Sequence, residues 1–358
     1  MPLPHVRCPP QPRLYLPVRA RTFTTAPSHL SHGPHISTTP ICPPPTCPCA
    51  PTPNDLAIDR DLPIQNTVAP YAQHVVICTG QHDWTSRIED DGFDTGWGEL
   101  GRGLKGMMSA RSGTGEFVDP YNNILITHSS FLPARAVRSS NEGRRASAML
   151  LPSFTYFERL STDRPSLRSF IRTFLLPERQ NLHKMHSVLP ETMREKMVRD
   201  EDQGLRGSFD LHKIETPVVL ICGHGGRDQR CGVMGPLLEA DFMNAFERLG
   251  FTVPAAQELP VLGAGWKSAD RTANVGLISH IGGHKFAGNV IVYLPPRYGL
   301  EHGKVEGIHP LAGKGIWYGR VEPRHVEGIV RETIMSGRII EELFRGGIEA
   351  DATVLRLH

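Results

Sequence analysis

The segment PVVLIC, residues 217–222, is followed by the glycine-rich stretch GHGGRDQRC, residues 223–231. An uninterrupted apolar run of this length is typical of a central strand that is covered on both faces. Apolar residues then recur at helical spacing over 238–249, immediately before a glycine, which predicts an amphipathic helix. We expect Pro236 in the first turn of that helix, where proline is favoured. The stretch therefore predicts a strand, a loop and a helix, as in an α/β fold.

Short apolar runs alternate with helical patterns from about residue 70 onward, which supports the same fold class. The other predicted strands are His74–Cys78, Ile124–Thr127, Ser147–Leu151, Val275–Ser279, Asn289–Leu294 and Gly315–Val321. The other predicted helices are Ser166–Leu176 and His325–Phe344, the second ending at Gly346 and Gly347. Three short apolar matches recur in the same order in the two halves of the chain. They predict a duplicated unit, although short strands also resemble one another by chance.

The N-terminal segment differs in composition from the rest of the chain. Its first 53 residues hold 15 of the 31 prolines, and no acidic residue precedes Asp55. Arginine-bearing, Ser/Thr-rich segments without acidic residues are typical of mitochondrial presequences, whereas prolines interrupt the apolar core of a secretory signal. We predict a presequence and a proline-rich disordered linker over 1–60, with an untargeted disordered tail as the alternative. Four cysteines in this segment are expected to be poor structural ligands: Cys8, Cys42, Cys47 and Cys49.

Charge and hydropathy exclude two classes of protein. The chain has 39 Lys and Arg against 37 Asp and Glu, so its net charge of +2 gives no electrostatic basis for binding nucleic acid. No apolar run approaches the roughly 20 residues that a membrane span requires. The 358 residues are enough for two domains. We predict a degenerate α/β domain over 61–205 and a second domain over 206–358.

Four potential metal ligands follow two of the predicted strands. Cys222 and Cys231 are separated by eight residues of glycine-rich loop, and His280 and His284 follow the strand that ends at Ser279. In an open α/β sheet, functional sites are built at the carboxyl edge of the strands. We therefore expect the four side chains to share one site.

The spacing of these residues leaves two kinds of metal site open. The segment HIGGH lacks the glutamate of a zinc-protease helix, and each of its two glycines would cost about 1 kcal/mol in a helix, so we expect a loop. A structural zinc ion suits two thiolates and two imidazoles, but its cysteines are usually about two to four residues apart. A [2Fe–2S] cluster accepts the same ligand types, although Rieske centres interleave Cys and His in each loop. The folded part has too few cysteines for an all-cysteine cluster: Cys78, Cys222 and Cys231.

Three motifs together resemble the sucrase/ferredoxin-like family. They are the loop from Cys222 to Cys231, the segment SHIGGHKFAGN at 279–289 and the segment GIWYGRV at 315–321. The presequence-like start makes the chain most similar to the mitochondrial, altered-inheritance-of-mitochondria branch of fungi. The resemblance covers about residues 70 to 348.

This resemblance implies two thioredoxin-like domains, of which the C-terminal one is a [2Fe–2S] ferredoxin-like domain and the N-terminal one is degenerate. It implies that Cys222 and Cys231 bind one iron of a [2Fe–2S] cluster, and that His280 and His284 bind the other. The implied function is mitochondrial electron transfer or redox sensing, in the matrix or the intermembrane space, with a redox partner protein of unknown identity. An electron carrier fits better than a stand-alone enzyme, and thiol redox maintenance and iron homeostasis are both compatible.

Two other functions remain open at this stage. A zinc ion in the same four ligands would make the protein a structural interaction module. A thiol enzyme would instead use Cys222 or Cys231 as its nucleophile, although the C-x-x-C motif of thioredoxins is absent.

Several neighbouring residues have a functional and a structural interpretation. Four cations could balance cluster charge or dock an acidic partner, or could form an ordinary solvated rim: Arg227, Arg230, Lys285 and Arg320. His224 is an alternative ligand within the cysteine loop, while Trp317 and Tyr318 are expected in the core rather than in an electron path. Cys78 and His128 match Cys222 and His280 if the repeat is real, without a complete set of ligands.

Overall fold

The computed structural model describes residues 36–109, 115–138, 144–254, 271–299 and 309–357. Most of the predicted presequence lies outside these ranges. No helix in the described residues is both long and apolar enough to cross a membrane. The chain is a mixed α/β protein, as the sequence predicts.

The strands in chain order are β1 (Thr38–Thr39), β2 (Gln73–Cys78), β3 (Ile124–Ser129), β4 (Arg145–Leu151), β5 (Thr155–Ser161), β6 (Leu211–Lys213), β7 (Val218–Cys222), β8 (Asn274–Ile278), β9 (Val290–Leu294), β10 (Lys314–Tyr318), β11 (Ile339–Ile340), β12 (Phe344–Ile348) and β13 (Val354–Leu355). The α-helices are α1 (Gly96–Met108), α2 (Arg135–Arg138), α3 (Arg164–Phe170), α4 (Glu191–Lys196), α5 (Gln203–Gly207), α6 (Gln229–Arg248) and α7 (Pro323–Ile329). Two π-helical segments extend α3 and α7: Ile171–Leu175 and Val330–Met335. The 3-10 turns are Ile88–Asp90, Arg179–Asn181, Lys184–Val188, His284–Phe286 and Glu341–Leu343.

Eleven of the strands in the described residues form one mixed sheet, in the order β13-β12-β10-β9-β7-β8-β3-β2-β4-β5-β6. In the second half, β7 pairs parallel with β8 and antiparallel with β9, which in turn pairs antiparallel with β10. The first half repeats this arrangement with β2, β3, β4 and β5. Strand order and direction are therefore the same in both halves.

The two halves meet in the middle of the sheet, where β3 runs antiparallel to β8 and Ser129 pairs with Ile278. Two serine hydroxyls strengthen this short contact. Ser279 Oγ accepts from the backbone N–H of His128 at 3.0 Å, and Ser130 Oγ accepts from that of Leu277 at 2.9 Å. The serines supply acceptors where β3 and β8 have few paired residues, so the sheet continues from one half into the other.

The prediction that β7 is a covered central strand is confirmed, because each of its five residues is buried. One face packs against α6 and α7 in a core that includes Leu238, Phe242 and Ile329. The opposite face packs in a second core with Phe131 and Tyr293. Burial on both faces explains why this strand is apolar throughout.

The helix that carries Pro236 starts earlier than the sequence predicts. Helix α6 begins at Gln229, because Asp228 caps it by accepting from the backbone N–H of Arg230. Pro236 therefore lies inside the helix rather than in its first turn. The prediction placed the start too late because the cap lies within the glycine-rich stretch, which has no apolar periodicity.

The predicted closing helix, His325–Phe344, is also wrong at its C-terminal end. Helical structure stops at Met335, and Gly337 follows in a left-handed conformation with φ of +70°. The chain then forms β11 and β12, so the glycines at 346 and 347 lie in a strand rather than ending a helix. Apolar residues after 337 belong to buried strands, which periodicity over a short run does not distinguish from a helix.

Residues 36–60 form an ordered segment, which we call the N-terminal strap. Strand β1 in the strap pairs parallel with β11, and Cys42 is buried in the core beside α7. Thr46 donates hydrogen bonds to Glu327 from its backbone N–H (3.1 Å) and its hydroxyl (2.7 Å). The prediction of a disordered linker is wrong for these residues, because a proline-rich segment can be held by contacts to a preformed surface.

Candidate metal centre

The two cysteines lie at a strand end and a helix start. Cys222 is the last residue of β7, and Cys231 lies in the first turn of α6. Both thiols are buried and free, and they lie close enough for each to shift the pKa of the other. The hydrogen bond from Cys231 lowers the pKa of Cys222, and His280 adds to this effect against the opposing effect of burial. The pKa of Cys231 is raised, because its proton is held beside the Cys222 sulfur in a buried site.

The two histidines lie on a glycine-containing loop after β8. Gly282 and Gly283 adopt positive φ of +85° and +76°, so the predicted loop is confirmed. This turn brings the two imidazoles together, with the ring centroids of His280 and His284 5.2 Å apart. The Nδ1 atoms of both rings are buried and have no hydrogen-bond partner in the part of the chain that the structure describes. An unpartnered buried nitrogen costs about 1–3 kcal/mol, so both rings have an atom suited to a metal.

All four predicted ligands therefore lie at the carboxyl edge of the parallel pair β7 and β8. The side chain of His284 is 43% exposed and opens the site to solvent, with its Nε2 4.0 Å from a carboxylate oxygen of Asp228. None of these four residues belongs to a set of three whose donor atoms all lie within 4.8 Å of one another in the described residues. Among the described residues, a set of three that meets this distance is Glu158, Asp210 and His212.

His224 fixes the histidine loop rather than offering a free ligand atom. Its Nδ1 accepts from the backbone N–H of His280 at 3.0 Å. Its Nε2 lies 2.8 Å from the carbonyl oxygen of Thr85 and 3.1 Å from that of Trp84. Because carbonyls only accept, Nε2 carries the proton and both ring nitrogens are in use.

A loop of the first half covers the cysteine loop. The carboxylate of Asp83 accepts from the backbone N–H of Gly226 at 3.1 Å. A Cβ at Gly226 would lie 2.1 Å from the carbonyl oxygen of Trp84, so only glycine permits this approach. The first half therefore contributes structurally to the site.

The buried cation of the site is Arg345, which the sequence analysis missed. Its guanidinium donates to the carbonyl oxygen of Gly282 at 3.3 Å and to Oδ1 of Asn289 at 2.6 Å. Burial lowers the pKa of Arg345 to about 10, and the neighbouring cysteines Cys222 and Cys231 oppose this shift. No local signal marks Arg345, because it lies in β12, far along the chain from the ligands.

The four cations predicted from sequence lie around the site and have partners of their own. Arg230 pairs with Asp228 at 2.8 Å, and Arg320 lies 3.5 Å from a carboxylate oxygen of Asp59. Arg227 contacts a serine hydroxyl of the first half. Lys285 is exposed and lies 4.8 Å from the centroid of a phenylalanine ring.

The remaining predicted residues are structural. Trp317 and Tyr318 lie in the core, as predicted, with hydrogen bonds from Trp317 to Tyr71 and between Tyr318 and a threonine. Cys78 and His128 do not form a counterpart of the site. Cys78 pairs with Ser129 rather than with His128, so Cys78 and His128 face opposite sides of the sheet.

Comparison with known proteins agrees with the motifs around the site. The family model described as sucrase/ferredoxin-like matches residues 64–346, which include all four predicted ligands. The chain belongs to this family. The match begins just after the N-terminal strap and spans both halves of the sheet.

Curated relatives of this family member carry the name "Altered inheritance of mitochondria protein 32". The protein of Debaryomyces hansenii is 28% identical over 300 residues, covering 83% of this chain and 89% of the relative. Those of Meyerozyma guilliermondii and Clavispora lusitaniae are 32% and 38% identical, over 53% and 51% of this chain and 56% and 52% of their own lengths. No solved structure matches the chain.

Proposed function

We propose that the protein is a mitochondrial [2Fe–2S] electron-transfer or redox-sensing protein whose cluster is held by Cys222, Cys231, His280 and His284. One observation carries the proposal. Two buried, neighbouring thiols and two imidazoles with buried nitrogens that have no partner among the described residues share the carboxyl edge of two adjacent parallel strands.

The residues present fit this cofactor. Thiolates and imidazoles are the two ligand types found in mixed-ligand [2Fe–2S] proteins, and such a cluster would supply reversible one-electron chemistry. Cys222 is poised to lose its proton, because Cys231 and His280 both stabilise the thiolate. Cys231 lies at the N-terminus of α6, where the helix dipole favours negative charge. The side chain of His284 is 43% exposed, so we expect electrons to be exchanged on its side of the site.

The spacing of the donor atoms favours a cluster over a single zinc ion. Around one tetrahedral zinc, bond lengths of about 2.0–2.3 Å bring all ligand atoms to within roughly 4 Å of one another. The four predicted ligands do not contribute to a set of three donor atoms within 4.8 Å of one another among the described residues. A cluster of two metals is wider and suits a pair of thiols beside a pair of imidazoles.

We propose further that each half of the sheet is a thioredoxin-like unit, with a ligand-bearing second unit and a degenerate first one. The repeated strand order supports this proposal. Because β6 pairs with β5 of the first half, the boundary between the units would fall after Lys213 rather than near residue 206. The first unit would hold the cysteine loop in place through Asp83.

Mitochondrial localisation rests on the acid-free, arginine-bearing N-terminus and on the names of the relatives. Because the strap contributes to the fold from Ile36 onward, a cleaved presequence would end before that residue. The function also requires a partner protein that gives or takes single electrons.

Anaerobic purification of the full chain tests the cluster directly. We expect two irons and two acid-labile sulfides per chain, visible absorption, and an EPR signal after dithionite reduction. His280→Cys should change the EPR signal and the absorption bands, since it replaces an imidazole with a thiolate. The matched control is His183→Cys, which changes an exposed histidine of the first half and should leave the spectra unchanged. A colourless protein with one zinc per chain would overturn the proposal.

A further inference from the structure

Arg345 is a buried arginine whose hydrogen-bond partners among the described residues are all neutral. Its side chain donates to the hydroxyl and the carbonyl oxygen of Thr67 at 3.0 and 3.2 Å, to Gly282 and to Asn289. Only 3% of the residue is exposed, so water screens its charge poorly. Buried charges are usually paired with an opposite charge, because an unpaired one is costly.

The surroundings hold this charge in one place. The guanidinium lies 5.7 Å from the ring centroids of both Phe286 and Trp317. A Cβ at Gly283 would lie 2.6 Å from a guanidinium nitrogen, so the histidine loop passes directly over Arg345. Cys222 and Cys231 oppose the effect of burial on the pKa of Arg345, so both cysteines lie within electrostatic reach of the guanidinium. Arg345 therefore faces the site from below the loop that carries His280 and His284.

We propose that Arg345 is a positioning residue that raises the reduction potential of the metal centre by placing an unpaired positive charge beside it. This inference rests on the proposed function. Two ferric ions, two sulfides, two thiolates and two neutral imidazoles carry no net charge together, so uptake of one electron leaves one negative charge. A fixed cation favours that reduced state over the neutral oxidised state.

Arg345 also ties the histidine loop to the rest of the protein. Its bonds to Gly282 and Asn289 join the loop to the start of β9, and its bonds to Thr67 extend this contact to the segment before β2. A purely structural role would change cluster retention and stability. A charge effect would change the potential while the absorption spectrum stays the same.

Redox titration of the full chain, purified anaerobically and followed by visible absorption, separates these roles. For Arg345→Gln we expect the equilibrium constant for one-electron reduction to fall about tenfold, which corresponds to 59 mV. Arg345→Lys keeps the charge but not the planar fork, so its potential should stay near that of the unaltered protein. Arg199→Gln removes a half-buried arginine, one that pairs with Glu178, and should lower stability without changing the potential.

A second pair of variants decides the matter if Arg345→Gln does not fold. Thr67 is half-buried and accepts from the guanidinium, so Thr67→Glu would place a carboxylate against the charge and should lower the potential. Thr67→Gln introduces a side chain of the same size without the charge, so it should not lower the potential. If the iron-loaded variants had unchanged potentials, the role of Arg345 would be overturned but the proposed function would not. An iron-free unaltered protein would overturn this role and the proposed function together.

Discussion

The backbone N–H of His280 donates to Nδ1 of His224 at 3.0 Å, which joins the two loops that carry the proposed ligands. The opposite nitrogen of His224 donates to carbonyl oxygens of the first half, at Trp84 and Thr85. The buried imidazole of His224 thus links three segments: the cysteine loop, the histidine loop and the covering loop of the first half. It acts on the proposed centre by orienting a ligand, as outer-shell partners of metal-bound histidines do.

Replacing this imidazole should loosen the proposed site without removing any proposed ligand. His224→Ala leaves the N–H of His280 and a carbonyl oxygen buried without partners, at about 1–3 kcal/mol each. We expect lower iron content per chain and faster loss of visible absorption in air. His183→Ala, at an exposed histidine, is the control. Iron retention equal to that of the control would show that His224 does not position the loop.

The N-terminal strap should contribute measurably to stability. A chain lacking residues 1–60 loses the pairing of β1 with β11, the burial of Cys42 and the hydrogen bonds from Thr46 to Glu327. At about 0.5–1.5 kcal/mol per hydrogen bond, together with the lost burial, we expect its free energy of unfolding to fall by roughly 3–5 kcal/mol. Urea denaturation measures the difference. A chain lacking only 1–35 keeps the strap and is the matched control; equal midpoints for the two chains would contradict the prediction.

Gly328 in α7 should respond to alanine in opposite directions with and without the strap. A Cβ at this position would lie 2.3 Å from Sγ of Cys42, so Gly328→Ala should destabilise the chain that keeps the strap. In a chain lacking 1–60 the same change should stabilise by up to about 1 kcal/mol, because alanine favours a helix more than glycine does. Cys42→Ala should partly relieve the clash. Thermal denaturation of chains with Gly328 or with Gly328→Ala, each with and without the strap, tests whether the effect on stability changes sign. Destabilisation by Gly328→Ala in both backgrounds would exclude the contact with Cys42 as the cause.

Buried neutral histidines should make the protein sensitive to acid. Burial lowers the pKa of His74 to about 3, while its ring hydrogen-bonds to Thr127 and Tyr293. Since the pKa of an unfolded histidine is near 6.5, the unfolded chain binds more protons between these values. The contribution of neutral His74 to the free energy of unfolding is therefore fully present above pH 6.5 and is lost progressively as the pH falls toward 3.

The variant His74→Gln should flatten this dependence. Urea unfolding at pH 7.5 and pH 5 should show a smaller stability difference for His74→Gln than for the unaltered chain. His128 has a pKa lowered to about 3 by burial as well, so part of the dependence should remain. His183→Gln serves as the control. An unchanged difference in His74→Gln would show that His74 is not the group that titrates.

Several parts of the fold follow from local sequence patterns. The apolar runs that predicted β2, β7 and β9 are buried strands, and the two glycines between His280 and His284 form the expected loop. These features were predictable because burial on both faces and positive φ impose residue types directly. The placement of the four proposed ligands after two neighbouring strands follows from the same patterns.

Other parts depended on contacts between distant segments. Residues 36–60 have the composition of a disordered linker, yet α7 and β11 supply the surface that orders them. The start of α6 is set by an aspartate cap that the glycine-rich loop conceals. Nothing in the sequence near the proposed ligands indicates Arg345, whose position depends on the pairing of β12 with β10.

The difference between the features that the sequence predicts and those that it does not has a physical cause. Residue types and spacing can be read along the chain, so Cys222, Cys231, His280 and His284 could be predicted as candidate ligands from the sequence alone. The charge, the hydrogen bonds and the covering loop around them come from segments that are distant in sequence, among them Arg345, His224 and Asp83. Only the folded sheet brings these groups together, because local patterns specify which strands form but not what packs across their ends.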